Sequence, residues 1–199
     1  MVKFIKLDSL NFQSISFKDL YNKKTLIAGE LGVGKTRLMI KLLAEAIEIG
    51  LGNEITVIDM APKTIIFNGK KVGGTLLAYN PEIKCLRYLK SEEIKAPRLS
   101  SKNAEELIVF AQKNKAIIDG LIDVFIKNPS SIVFINDISM YFHLGSINRI
   151  LEILKLVNTF VANGYYGKSL LKDLDTGISK KEMESMKALM KKMDIVIFI

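Results

Sequence analysis

Residues 25–36 run Thr-Leu-Ile-Ala-Gly-Glu-Leu-Gly-Val-Gly-Lys-Thr, an apolar stretch followed by Gly29-x-x-x-x-Gly34-Lys35-Thr36. Residue types in that order suit a phosphate chain. A cradle for phosphate oxygens needs several backbone N–H groups turned inward together, and glycine permits that backbone because it has no Cβ. A helix opening at the end of the loop adds the positive end of its dipole. Lys35 would reach the β- and γ-phosphates, and the Thr36 hydroxyl would bind Mg²⁺. Gly29, Glu30, Leu31, Gly32, Val33, Gly34, Lys35, Thr36 and Arg37 are therefore the candidate nucleotide-binding residues, with Lys35 also a candidate catalytic group. The flanks agree: residues 25–28 suit a buried strand and 36–49 a helix.

Such a loop needs a metal-holding partner, ordinarily an acidic residue at the end of a neighbouring apolar strand. Ile132-Val133-Phe134-Ile135-Asn136-Asp137 offers one in either of two registers. The metal-side position falls on Asn136 with Asp137 next to it, or on Asp137 itself. Asp137 belongs to the site in both, as a catalytic and metal-side candidate. Asp59, closing Val57-Ile58-Asp59, is a third metal candidate beside Thr36 and Asp137, or a polar strand end. Glu30 could orient water or face solvent. Arg98 and Arg149 are candidate phosphate contacts or surface residues. His143 is the single histidine, and with no cysteine partner but Cys85 a zinc site is not expected. Residues 163–169, with two glycines around Tyr165-Tyr166, suggest a mobile loop that stacks on a base or meets a partner, or a turn folded onto the core. Met183, Met186, Met190 and Met193 form a stripe at helical spacing, suited to core or to a partner face.

On these residues the chain resembles the P-loop NTPase superfamily. The full loop, the strand-end Asp137 and the one-domain size resemble the RecA/KaiC-like ATPases. The P-loop cobalamin adenosyltransferases are similar in size and core. Residues 57–62 resemble the aspartate-plus-proline strand end of MinD/ParA-like ATPases, which carry a signature lysine where this chain has Glu30. The resemblance implies a three-layer P-loop NTPase fold of the α/β class, with a mostly parallel central sheet and helices on both faces. It also implies Mg·ATP at the C-terminal strand edge. The guanine-selecting Asn-Lys-x-Asp pattern is missing, since Asn22-Lys23 and Asn114-Lys115 lack the aspartate. ATP is thus expected over GTP. In the Asn136 register, Asp137 stands where many ATPases keep a catalytic Glu, which implies slow hydrolysis. The expected function is a slow Mg²⁺-dependent ATPase. The alternatives are a binding module switched by ATP through residues 63–79 and 163–169, and a transferase moving a phosphoryl or adenosyl group to a small acceptor. No arginine-rich lid is present to favour the phosphoryl version.

The elements that must position these residues follow from periodicity. Residues 2–7 and 12–17 alternate and suggest a hairpin or strand pair. A strand at 24–28, a helix from 36 to 49 closed by Gly50 and Gly52, and a strand at 54–60 come next. Residues 63–79, with Asn68-Gly69 and Gly73-Gly74, suggest a hairpin flap beside the ligand. A strand at 85–89 leads through a loop to a long helix capped by Asn103 with Glu106, with Gly120 marking a kink. Residues 131–136 form a central strand. Ser146 caps a helix carrying apolar residues as far as Val161, and Ser179 with Glu182 caps a final helix before a strand at 194–199. Strands alternating with helices predict a mostly parallel sheet in a single domain, residues 1–199.

The chain has 199 residues, 49% of them hydrophobic, which suffices for one sizeable core. No apolar run approaches the ~20 residues that span a bilayer. Residues 1–10 carry Lys3, Lys6 and Asp8 and lack a signal-peptide pattern. One cysteine, Cys85, allows no internal disulfide and suits core packing. A cytoplasmic, non-membrane protein is expected. The net charge of +8 makes nucleic acid a candidate partner by charge alone. Few arginines and no aromatic interleaving count against it. A protein partner or homo-oligomer is a further expectation.

Overall fold

The computed structural model describes residues 1–8, 12–67, 70–170 and 172–199. The Asn68-Gly69 turn and the side chain of Cys85 lie outside the described residues. Runs of β-branched and aromatic residues become interior strands, and amphipathic segments become the helices that cover them. In chain order the elements are β1 (Lys3–Lys6), α1 (Phe17–Leu20), β2 (Lys24–Gly29), α2 (Lys35–Glu48), β3 (Ile55–Asp59), β4 (Ile65–Phe67), β5 (Lys70–Val72), α3 (Leu76–Tyr79), β6 (Arg87–Lys90), α4 (Pro97–Ser100), α5 (Ala104–Lys127), β7 (Ile132–Asn136), α6 (Ile147–Leu156), β8 (Thr159–Tyr165), α7 (Ile178–Met190) and β9 (Ile195–Phe198).

Seven strands form one sheet in the order β1-β9-β2-β8-β7-β3-β6, and every neighbouring pair is parallel. β3, β7 and β8 are buried at every residue, as strands covered on both faces must be. One face packs on α2 through Leu38, Met39, Leu42 and Leu43. The other packs on α5, α6 and α7 through Ile118, Phe125, Ile150 and Leu189. The expected α/β class with a parallel sheet is therefore observed. Met186, Met190 and Met193 belong to the second core, where each buried side chain of that size contributes about 1.5–3 kcal/mol. β2 and β8 are neighbours, yet the helices that follow them cover opposite faces. A crevice opens at their carboxyl ends for that reason. Among the described residues no helix is long and apolar enough to cross a membrane.

Several elements differ from expectation. β1 pairs in parallel with β9 at the far end of the chain, and residues 12–20 form a 3-10 turn and α1 instead of a second strand. Ser16 with Asp19 makes a capping box there, and Phe12, Phe17 and Leu20 reach the α2 face of the sheet. The 146–161 helix stops at Leu156, and Thr159 begins β8, a central strand. Its β-branched and aromatic start favours strand, while Asn163 and Gly164 disguise its end. Residues 163–165 are thus buried strand, not mobile loop. The Ser179–Glu182 cap does not form, because α7 starts after Gly177 at φ 77° and Glu182 turns inward to Arg98. The Asn103 cap does form, and α5 runs unbroken through Gly120. β4 and β5 make the expected antiparallel hairpin, closed at its base by the Gly74 N–H donating to the Pro62 carbonyl at 3.0 Å. Gly74 has φ 110°, and a Cβ there would meet Thr64 Oγ1 at 2.6 Å, so only glycine fits.

Candidate functional site

β2 ends at Gly29 and α2 begins at Lys35, so the glycine-rich segment bridges a buried strand and a helix N-terminus. Gly32 and Gly34 both take positive φ, 74° and 98°. At Gly34 a Cβ would also strike the Phe12 ring at 2.9 Å. At Gly29 it would lie 2.3 Å from the Ile199 carbonyl oxygen of β9's end. Lys35 turns back over the loop: its Nζ donates to the Gly29 carbonyl at 3.0 Å and to that of Glu30. Burial lowers its pKa to about 8, against the opposing pull of Asp137, Glu30 and Glu182.

A cavity of about 270 Å³ lies over the loop. Leu31, Gly32, Gly34, Lys35, Thr36 and Arg37 line its floor and near wall, with Asn136 and Asp137 across from them. Pro62, Ile65, Gly74 and Tyr79 bring the hairpin to its rim. Among the candidate residues, Gly29, Glu30, Val33 and Asp59 stand behind this lining rather than in it. The helix dipole of α2 and the Lys35 ammonium both favour an anion here.

Asp137 follows β7 in the left-handed region, φ 55° and ψ 50°. Its N–H donates to Asn163 Oδ1 at 2.7 Å, and Ser139 Oγ donates to its Oδ1 at 3.0 Å. Burial raises its pKa, and the neighbouring Lys35 opposes that rise. Asn136 points elsewhere. It joins a row across four adjacent strands: Tyr88 Oη donates to Asp59 Oδ2, Asn136 Nδ2 donates to Asp59 Oδ1 at 2.8 Å, and Asn163 Nδ2 donates to Asn136 Oδ1 at 3.1 Å. Asp59 is fully buried and also accepts from the Ala61 and Leu76 N–H groups at 3.1 and 2.7 Å. Burial pushes its pKa up while these donors pull it down.

Glu30, outside the cavity lining, is bound to the chain rather than left to solvent. Its carboxylate accepts from the Lys168 and Ser169 N–H groups and from Ser169 Oγ, strapping the segment after β8 onto the loop. Burial raises its pKa, and the Ser169 and Lys168 donors more than reverse the effect. Arg98, 6% exposed, is held by Glu182 at 2.7 Å, Ser179 Oγ at 3.2 Å and the Leu170 carbonyl at 3.0 Å. Its guanidinium carbon sits 5.3 Å from the Tyr165 ring centre, and it lines the cavity rather than the surface. His143 is buried with Nε2 3.5 Å from Glu182 Oε1. Burial raises the Glu182 pKa, but His143 and Arg98 bring it below the ordinary value. Arg149 is tied to Asp123 and Glu152 away from the cavity.

The fold thus gathers Lys35, Thr36, Asp137 and Arg98 around one cavity and leaves Arg149 outside it. Tyr88 and Ser139 are site neighbours that the sequence does not single out, while the sequence suggests other roles for Asn163 and Glu182, as the start of a loop and as a helix cap. A buried polar residue ending an apolar run is the one signal that marks Asn163. Among the described residues no three His, Cys, Asp or Glu side chains converge as a metal cage. Compared with known proteins, the chain matches no protein-family model and no curated protein.

Proposed function

We propose that this chain is a P-loop NTPase that binds Mg·ATP in the cavity over residues 29–37 and hydrolyses it slowly. The observation that carries the reading is the joint placement of Lys35 and Asp137. A lysine tethered to two loop carbonyls sits at a helix N-terminus after β2, across one cavity from a carboxylate at the tip of β7, two strands along the sheet. The donor set fits the ligand: positive-φ glycines free the loop amides, Lys35 neutralises phosphate charge, and Thr36 offers a hydroxyl. Mg²⁺, held by Thr36 and Asp137 with phosphate oxygens and water, would supply the remaining positive charge. Lys35 and the loop amides would then stabilise charge on the terminal phosphate. The resemblance to RecA/KaiC-like ATPases belongs to this proposal. No glutamate adjoins Asp137 in the chain, and Glu182 of the same cavity is engaged by Arg98 and His143, so the site has a weak water-activating set, which fits slow turnover.

The Glu30 strap supports a second reading, an ATP-switched binding module. Any shift of the loop on binding phosphate must pull on residues 168–169 and so on the surface they form.

The test is thermal stabilisation by Mg·ATP, with phosphate release measured on the same sample. Wild type should be stabilised, and Lys35→Ala should lose the effect while keeping the unliganded melting temperature within a few degrees. Stabilisation retained by Lys35→Ala would remove residues 29–37 as the site. Binding with steady phosphate release supports the ATPase, and binding without it supports the switch.

A further inference from the structure

Asp59 ends β3 next to Asn136, and by its place in sequence it competes with Asp137 for the metal. Its surroundings give it different work. An ionised carboxylate has about four acceptor positions. All four are filled by protein donors, the Ala61 and Leu76 N–H groups, Asn136 Nδ2 and Tyr88 Oη. A cation could enter only by stripping at least one of these donors of its partner in a fully buried place.

The row built on Asp59 has two ends, and both reach the cavity. At one end the Leu76 N–H on Asp59 and the Leu77 N–H on Tyr88 Oη, at 3.3 Å, fix the start of α3. Asn136 Nδ2 also reaches the Gly74 carbonyl at 3.4 Å. These contacts anchor the returning leg of the hairpin that walls the cavity. At the other end Asn136 passes to Asn163, whose Oδ1 holds the Asp137 N–H. Asp137 sits at positive φ, which a residue with a side chain keeps only when its surroundings hold it there.

We propose that Asp59 is a positioning residue: through Asn136 and Asn163 it sets Asp137, and through Leu76 and Tyr88 it sets the hairpin wall of the same cavity. This rests on the nucleotide reading above. Asp59 then governs how well the bound nucleotide is processed and leaves metal affinity to Thr36 and Asp137.

Wild type, Asp59→Asn and the swapped Asp59→Asn/Asn136→Asp double variant are compared for Mg·ATP affinity, Mg²⁺ half-saturation and phosphate release. An amide at 59 must set its NH₂ against two donors, either Asn136 Nδ2 with the Ala61 N–H or the Leu76 and Tyr88 pair, whereas the swap sets that NH₂ against a carboxylate at 136 and leaves only the Ala61 N–H without its acceptor. Asp59→Asn is expected to lower kcat about tenfold or more with KM and Mg²⁺ half-saturation within about twofold of wild type. The swap should return most of kcat. Asp137→Asn should instead raise the Mg²⁺ requirement. A raised Mg²⁺ requirement in Asp59→Asn, unrelieved by the swap, would overturn the proposal and make Asp59 a ligand. An unchanged kcat would overturn it too. Tyr88→Phe keeps the carboxylate and covers the case in which Asp59→Asn does not fold. In that variant hydrogen exchange should quicken at the Leu77 and Asp137 amides together, and unchanged exchange at Asp137 would break the link. A wild type that Mg·ATP fails to stabilise removes the nucleotide reading itself, a failure distinct from those above.

Discussion

Lys35 shows how one residue's chemistry follows from its burial. Its pKa in the folded protein is about 8, below the ordinary lysine value of 10.5, because burial disfavours the ammonium more than Asp137, Glu30 and Glu182 favour it. Between those two pH values the unfolded chain holds more protons, so stability should rise with pH across that window. A triphosphate works in the opposite sense by adding negative charge that holds the proton on. Mg·ATP affinity should therefore fall as pH climbs through about 8, with proton uptake on binding. Calorimetry at pH 8.5 in two buffers of different ionisation enthalpy measures that uptake. Wild type should give different heats, and Lys35→Arg, whose guanidinium stays charged, should give equal ones. Equal heats in wild type would mean that Lys35 does not titrate in the site.

The glycine-rich segment of residues 29–34 and the stretch that follows β8 act as one element because Glu30 joins them. Tyr166 N–H donates to the Gly29 carbonyl at 3.0 Å, and the Glu30 carboxylate takes three further donors from residues 168–169. A Cβ at Gly167 would meet the Glu30 carboxylate at 2.2 Å, so a side chain there would push Glu30 aside and loosen the strap. Glu30→Ala should speed hydrogen exchange at the Lys168 and Ser169 amides by about tenfold or more. Its cost in global stability should stay at about 1–2 kcal/mol, because exposed hydrogen bonds are readily replaced by water and contribute about 0.5 kcal/mol each. Unchanged exchange would show that the strap is held by something other than Glu30. The sequence marked Glu30 as a loop residue. Its partners lie 138 and 139 positions away, just after a strand that the sequence hid, so no local pattern could connect them.

Across the whole molecule, Arg98 and Glu182 join α4 to α7 and Tyr165 of β8 in the cavity wall. Both side chains are nearly fully buried, at 6% and 3% exposure, so neither charge can turn to water when its partner is removed. Glu182→Gln should destabilise the fold by about 3–5 kcal/mol, since it leaves a buried guanidinium poorly compensated. For a chain of this length that is a fall in Tm of roughly 10 °C. The double variant Arg98→Met/Glu182→Met should recover most of the loss, because removing both charges also removes their desolvation cost. A single-variant loss below about 1 kcal/mol would mean that water reaches the pair.

The local part of this protein is determined by sequence alone. The Gly29–Thr36 run sets a strand, a turn and a helix start because glycine φ freedom and helix capping act over a few residues. The apolar runs of β3 and β7 and the helix of residues 104–127 follow from periodicity for the same reason. The α/β class follows in turn from strands alternating with helices. Tertiary structure decided everything that depends on partners distant in sequence. It placed β8 between β2 and β7, where burial on both faces overrides the polar look of Asn163 and Gly164. It sent Glu182 inward to Arg98 in place of a local cap, because a buried guanidinium needs a counter-charge more than α7 needs its cap. It also separated Asp137 from Asp59, two strand-end aspartates that look alike in sequence. One lines the cavity, and the other spends all its acceptors on neighbours 2–77 positions away.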